Sequence, residues 1–322
     1  MLGVAAVALA VGVVGASNSF ASQDDVDTSY TQPANALVMP FDATNNRQSF
    51  FVVSNIGGTS DGGTLAGVTT HWSYWADNCD HLADVWACLT LNDTVVVDPT
   101  DIRALTVDNE PIGPSINLRG KRGFVVVTAY ETNAQCGDGS YSGFRLVDDA
   151  IVGTYTLADT ASGASLGADA IGLGLEGNST KLPSGVVTDV DLQTFAPGSL
   201  NLSAAILLNL REDAGWGPTS SEVGPGSSIS ADLVYYDNTE TATSLPGVSI
   251  GCARFSSLQP GADGSLIPSS FSGLTAGVLR MSGFEPNIGG NTGRFVYAVY
   301  GQAVGQFGAG SNGKYRILGS NQ

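Results

Sequence analysis

Short apolar runs closed by Gly, Asn, Asp and Pro recur along this chain, at the spacing of an all-β protein. Phe50–Ser54 is β-branched and aromatic and stops at Asn55-Ile-Gly-Gly58. Thr94–Asp98, Phe124–Tyr130 and Ile151–Leu157 are continuous apolar runs of the length seen in sandwich-core strands. His71–Trp75 alternates, which puts Trp72 and Tyr74 on one face of a strand and His71, Ser73 and Trp75 on the other. A second series of strands is expected near 204–210, 230–237, 248–256, 274–284, 294–300 and 313–318. Helical periodicity is scarce: Ala164–Ile171 fits a short Gly-weakened helix, and Asp98–Ile102 a single turn.

The two series read alike. Ser49–Asn55 matches Ala204–Leu210, Thr70–Asn78 matches Ala231–Asn238, Cys88–Leu91 matches Cys252–Phe255, and Arg122–Tyr130 matches Gly293–Tyr300. The matches lie roughly 150–170 residues apart, about the length of one domain. The expected fold is two tandem Ig-like β-sandwich domains related by duplication. They occupy residues 37–171 and 191–322, with 172–190 as a Gly/Ser/Thr-rich linker. Two long loops, 131–143 and 213–228, are where binding residues would sit on such a scaffold.

The termini and charge bear on location. Leu2–Ala16 is an uncharged apolar run, too short for a membrane span and suited to the core of a signal peptide. Ser19-Phe20-Ala21 supplies a cleavage site before Ser22. No basic residue precedes the run, so 1–21 reads as an incomplete signal peptide, and 22–36 as a polar, flexible mature N-terminus. The net charge of −17, from 13 basic and 30 acidic residues, excludes a nucleic-acid partner and an anionic membrane surface. With 43% hydrophobic residues the chain still builds a core. In an exported protein Cys79, Cys88, Cys136 and Cys252 read as two disulfides. The short Cys79–Cys88 loop is the favoured pair, which would leave Cys136 and Cys252 to clamp the halves.

Candidate chemistry is thin. Gly58-Thr-Ser-Asp-Gly62 matches a nucleophile-elbow pattern, but it sits in a Gly-rich turn and reads as a hairpin. Gly172-Leu-Gly-Leu-Glu-Gly177 matches a dinucleotide fingerprint without the βαβ unit that gives the motif its function. Asp148-Asp149, Asp189 with Asp191, and Glu212-Asp213 are acidic pairs that a secreted hydrolase could use, and nothing ranks one above another. Acidic loops at Asp24–Asp27 and Cys136–Gly139 offer oxygen ligands for calcium without EF-hand spacing. A zinc site would have to use His71 and His81, with no C-x-x-C beside them. No cofactor and no catalytic residue is expected. Trp72, Tyr74, Trp75 and Trp86 are candidate glycan-stacking rings, with core packing as the competing reading.

The strings Phe51-Val-Val-Ser-Asn-Ile-Gly57, Ala76-Asp-Asn-Cys79, Cys88-Leu-Thr-Leu-Asn-Asp-Thr94 and Gly123-Phe-Val-Val-Val-Thr-Ala129, with Asp237–Thr241 and Ser249–Cys252, carry a resemblance. The chain resembles a loose group of secreted bacterial β-sandwich proteins. The resemblance implies export and a β-rich fold; it brings no activity and no site residue. The function expected is therefore that of a non-enzymatic, self-associating structural or adhesive protein, secreted or on the cell surface. Its partners would be itself or other surface proteins. A carbohydrate-binding module acting on polysaccharide is the alternative, and a secreted hydrolase the third.

Overall fold

The computed structural model describes residues 33–320 apart from 58, 61–62, 65–66, 103–115, 132–144, 162–163, 177–178, 182–188, 194–200, 213–221, 227, 238, 259, 262–263, 272–276, 287–293 and 305–313. The first half supplies β1 (Ala36–Asp42), β2 (Arg47–Asn55), β3 (Thr59–Ser60), β4 (Gly63–Thr64), β5 (Gly67–Ala76), β6 (His81–Thr90), β7 (Thr94–Val97), β8 (Arg122–Glu131), β9 (Ile151–Asp159), β10 (Ala164–Asp169), β11 (Ile171–Glu176) and β12 (Ser179–Lys181). The second supplies β13 (Asp189–Gln193), β14 (Asn201–Arg211), β15 (Gly224–Pro225), β16 (Ile229–Tyr236), β17 (Ala242–Ile250), β18 (Ala253–Ser257), β19 (Val278–Pro286), β20 (Arg294–Val304) and β21 (Lys314–Ser320). No α-helix occurs among the described residues; a 3₁₀ turn at Ser269–Phe271 is the one helical element there.

Hydrophobic pattern decides each strand's place. β2 alternates, and its inward residues Ser49, Phe51, Val53 and Asn55 are buried. It lies in a four-stranded sheet ordered β10-β9-β2-β7. β1 and β5 are buried along their whole length and β8 along nearly all of it, the mark of strands covered on both faces. They form the centre of a six-stranded sheet ordered β12-β11-β1-β8-β5-β6. One face of that sheet carries Trp72, Tyr74, Leu37 and Met39, which pack with Phe51 and Val53. The other face meets the second half. β14 divides its side chains accordingly: Ile206, Leu208 and Leu210 join the first core, while Ala205 and Leu207 join a second core with Leu233, Tyr235 and Met281. The close approach of β5 and β8 demands a glycine at position 123, where a Cβ would lie 1.8 Å from the Trp75 carbonyl oxygen.

Strand order repeats between the halves. The run β1-β8-β5-β6 recurs as β13-β19-β16-β17, and β10-β9-β2-β7 recurs as β21-β20-β14-β18, all antiparallel. A buried asparagine fixes the alignment. The Asn55 N–H bonds to the Asp93 carbonyl just before β7, and its side-chain amide donates to Leu89 on β6. The Asn209 N–H bonds to the Cys252 carbonyl just before β18, and its amide donates to Gly251 at the end of β17. Val52 thus corresponds to Ile206, Ile56 to Leu210, and Val96, opposite Val52, to Phe255, opposite Ile206.

Several sequence expectations change. β2 does match β14 and β5 does match β16, but the Ser49–Asn55 match is one residue out of step. The counterpart of β8 is β19 rather than β20, because β20 occupies the place of β9. The expected helix at Ala164–Ile171 is strand β10 leading into β11, since pairing with β9 overrides its weak helical pattern. The expected linker 172–190 contains the β11–β12 hairpin, which extends the first half's six-stranded sheet beyond β1. Asp98–Ile102 is a turn, closed by Asp98 accepting from the Thr100 N–H and hydroxyl. Residues 59–60 and 63–64 pair as antiparallel β3 and β4, where the sequence reads as a hairpin.

Candidate functional site

β5, β6 and β8 lie side by side, so cross-strand register brings distant polar residues onto one face. His71 stands opposite Trp86 and Thr128, Ser73 opposite Asp84, and Thr69 opposite Tyr130 and Cys88. Alternation in β5, legible in the sequence, puts His71, Ser73 and Trp75 on this face and Trp72 and Tyr74 on the other. The second half closes over the face and contributes Glu222, from within the loop 213–228 singled out in the sequence.

Glu222 and His71 are 1% and 2% exposed. Both Glu222 carboxylate oxygens lie 3.0 Å from His71 Nδ1, and the Tyr130 hydroxyl donates to the same carboxylate. Asp84 Oδ1 lies 3.3 Å from His71 Nε2 and 2.9 Å from His81 Nε2. Trp86 stacks on the His71 ring at 4.3 Å. Burial is the largest single influence on His71 and opposes its charge. The hydrogen bonds and charges of Asp84 and Glu222 together outweigh it, and the pKa rises from 6.5 to about 9. Burial also acts to raise Asp84, but its bonds to His71 and His81 prevail and hold it below the usual carboxylate value.

This geometry clamps. His71 is an imidazolium with a carboxylate on each nitrogen. Ser73 Oγ lies 3.5 Å from His81 Nε2, but Asp84 approaches that same nitrogen. A Ser-His-Asp relay needs the carboxylate on one ring nitrogen and the hydroxyl on the other. Thr128 Oγ1 is buried beside the cluster with no hydrogen-bond partner among the described residues. No group of three metal-ligating side chains is present among the described residues, and His71 and His81, the pair a zinc site would have used, share Asp84 instead.

The same seam carries a disulfide. Cys79 pairs with Cys252, 173 residues away, and not with Cys88 as the short loop suggested. Cys88 is disulfide-bonded through a partner outside the described residues. Cys79 occupies the exposed turn between β5 and β6 with φ 76°, while Cys252 is fully buried. Beside the bridge, Arg122 bonds to Asp77 at 2.6 Å and lies over the Phe255 ring at 5.5 Å.

The remaining sequence candidates scatter. Trp72, Tyr74 and Trp75 are no more than 1% exposed, so they form core rather than a sugar-stacking row. Trp86 is half-buried against His71. Asp148 is half-buried, and burial, then the neighbouring Asp149, raises its pKa. Asp189 and Asp191 lie on β13 opposite Ser282 and Arg280. Asp213, Cys136 and the acidic loops at 24–27 and 136–139 lie outside the described residues. Glu222 was the acid that mattered, and nothing in Ser221-Glu222-Val223 sets it apart from the chain's other acids. Comparison of the chain with protein-family models, curated proteins and solved structures finds no match.

Proposed function

We propose that the protein is a non-enzymatic, exported structural component of the cell surface or extracellular matrix, built as two Ig-like sandwiches. The observation that carries this reading is the double fastening of the seam. A disulfide and a buried imidazolium–carboxylate clamp join the halves, so the side chains best suited to chemistry are engaged in rigidity. A disulfide of this kind is compatible with an oxidising, extracellular setting. Self-association into an extended assembly belongs to the same reading, because rigid, closed modules transmit force without moving parts. Cell fractionation with immunogold electron microscopy tests it. Label on the surface or in the surrounding matrix is expected; protein retained inside the cell would overturn it.

A further inference from the structure

The seam within one chain is a contact between two unlike faces. One is the outer face of β14 and β18, carrying Ile206, Leu208, Leu210 and Phe255. The other is the outer face of β5, β6 and β8. Because strand order repeats, the molecule owns a second copy of each face, one at either end of the stack. The outer face of β2 and β7 corresponds to that of β14 and β18. The outer face of β16, β17 and β19 corresponds to that of β5, β6 and β8.

The first end face looks like a seam left open. Val52 and Ile56 stand where Ile206 and Leu210 stand, and Val96 stands where Phe255 stands. Ile206 and Leu210 are buried and Phe255 is partly so, yet Val96 is 65% and Ile56 41% exposed. With neighbouring Leu91, these are the large hydrophobics most exposed among the described residues, gathered at one sheet edge. The residues around them on this face, Ser54, Thr94, Thr154 and Thr156, are uncharged. Asp169 on β10, opposite Thr154, and Asp93 and Asp98, at either end of β7, are the flanking acids; burial raises the Asp169 pKa. On the second end face Tyr236, Val234 and Asp232 take the positions of Trp75, Ser73 and His71, if fully buried Tyr235 is matched to fully buried Tyr74. Arg280 lies over the Tyr236 ring at 5.4 Å. The acids of the first face sit at its margins while the second face holds both signs, so the uncharged centre of the contact does not set like charges against each other, although each chain carries −17.

We propose that copies of this protein join head to tail, the β2–β7 face of one seating on the β16–β17–β19 face of the next, by the contact that already joins the two halves of each chain. A heterologous contact of this type is not exhausted by two copies; it propagates. The proposal rests on the self-associating part of the structural reading and names the surfaces that part uses.

Light scattering of the purified protein over a concentration series, with two charge insertions, tests it. Val96→Arg blocks one end and Val234→Arg the other. The unmodified protein is expected to grow past two copies, and each variant to need about tenfold or more protein to assemble. An equimolar mixture of the two variants has one intact end of each kind and should stop at pairs. Thr154→Arg and Ser244→Arg, at exposed positions, replace either variant that loses the native circular dichroism spectrum. An unmodified protein that stays single or stops at pairs overturns the proposal. So do single variants that assemble like the parent, or a mixture that forms no pairs. Surface location, read separately by fractionation, can stand when these faces fail, and the faces can stand when it fails.

Discussion

His71 is held charged by its neighbours, so its proton is coupled to folding. The unfolded chain releases that proton near pH 6.5 and the folded chain near 9. The clamp's contribution, on the order of 3 kcal/mol, is complete below pH 6.5 and is lost as pH rises through 9. Asp84 has the opposite sign: its folded pKa is depressed, so its contribution is present above the ordinary carboxylate range and fades as pH falls. Urea unfolding at pH 6 and pH 9 should show the parent losing stability across that interval. His71→Gln should be less stable at pH 6 by about 3 kcal/mol, because two carboxylates then lose their shared cation. It should also show a flatter profile. A variant with the parent's slope would remove His71 from the linkage. Burial is equally selective at Gly123, where Gly123→Ala forces a methyl group into the Trp75 carbonyl. That variant should lose about 3 kcal/mol or more, or fail to fold, as read by thermal melting.

At the scale of strands, the buried asparagines deserve the sharper test. Asn55 and Asn209 each tie one sheet to the end of a facing strand, so Asn55→Ala and Asn209→Ala should each cost about 1–3 kcal/mol by leaving backbone carbonyls unsatisfied. Equal sensitivity in chemical denaturation would agree with equivalent roles; a neutral change at either would separate them. Strand identity was legible because it is local. The continuous apolar run of β8 and the alternation at His71–Trp75 are properties of neighbouring residues. Pairing partners were not, because they are set by contacts far apart in sequence. The β8-like run at 294–300 is in fact the counterpart of β9, and Gly172–Glu176 reads as a linker until its pairing with β1 is seen. The clamp was half legible: alternation put His71 and Ser73 on one face, but Glu222 comes from the other half of the chain.

For the molecule as a whole, the bridge and the clamp hold two cores as one body, so unfolding should be a single transition while both are intact. Cys79→Ser with Cys252→Ser opens a loop closed across 173 residues, which costs about 5 kcal/mol in the chain-entropy picture. Calorimetry of that double variant at pH 9, where the clamp is also weakened, should resolve two transitions; one sharp transition would mean that apolar contact alone couples the halves. Peptide mapping without reduction should recover Cys79 with Cys252, and Cys88 with Cys136 as the remaining pair in the sequence. The bridge is also lopsided, with Cys79 facing water and Cys252 enclosed. An incoming thiolate can reach only the outer sulfur, so the departing charge must form on the inner one, among apolar neighbours that disfavour it. Small thiols should therefore cut this bond slowly until heat or denaturant admits water to Cys252. What guards the bond is the cost of the leaving group, even though one of its two cysteines is an exposed residue.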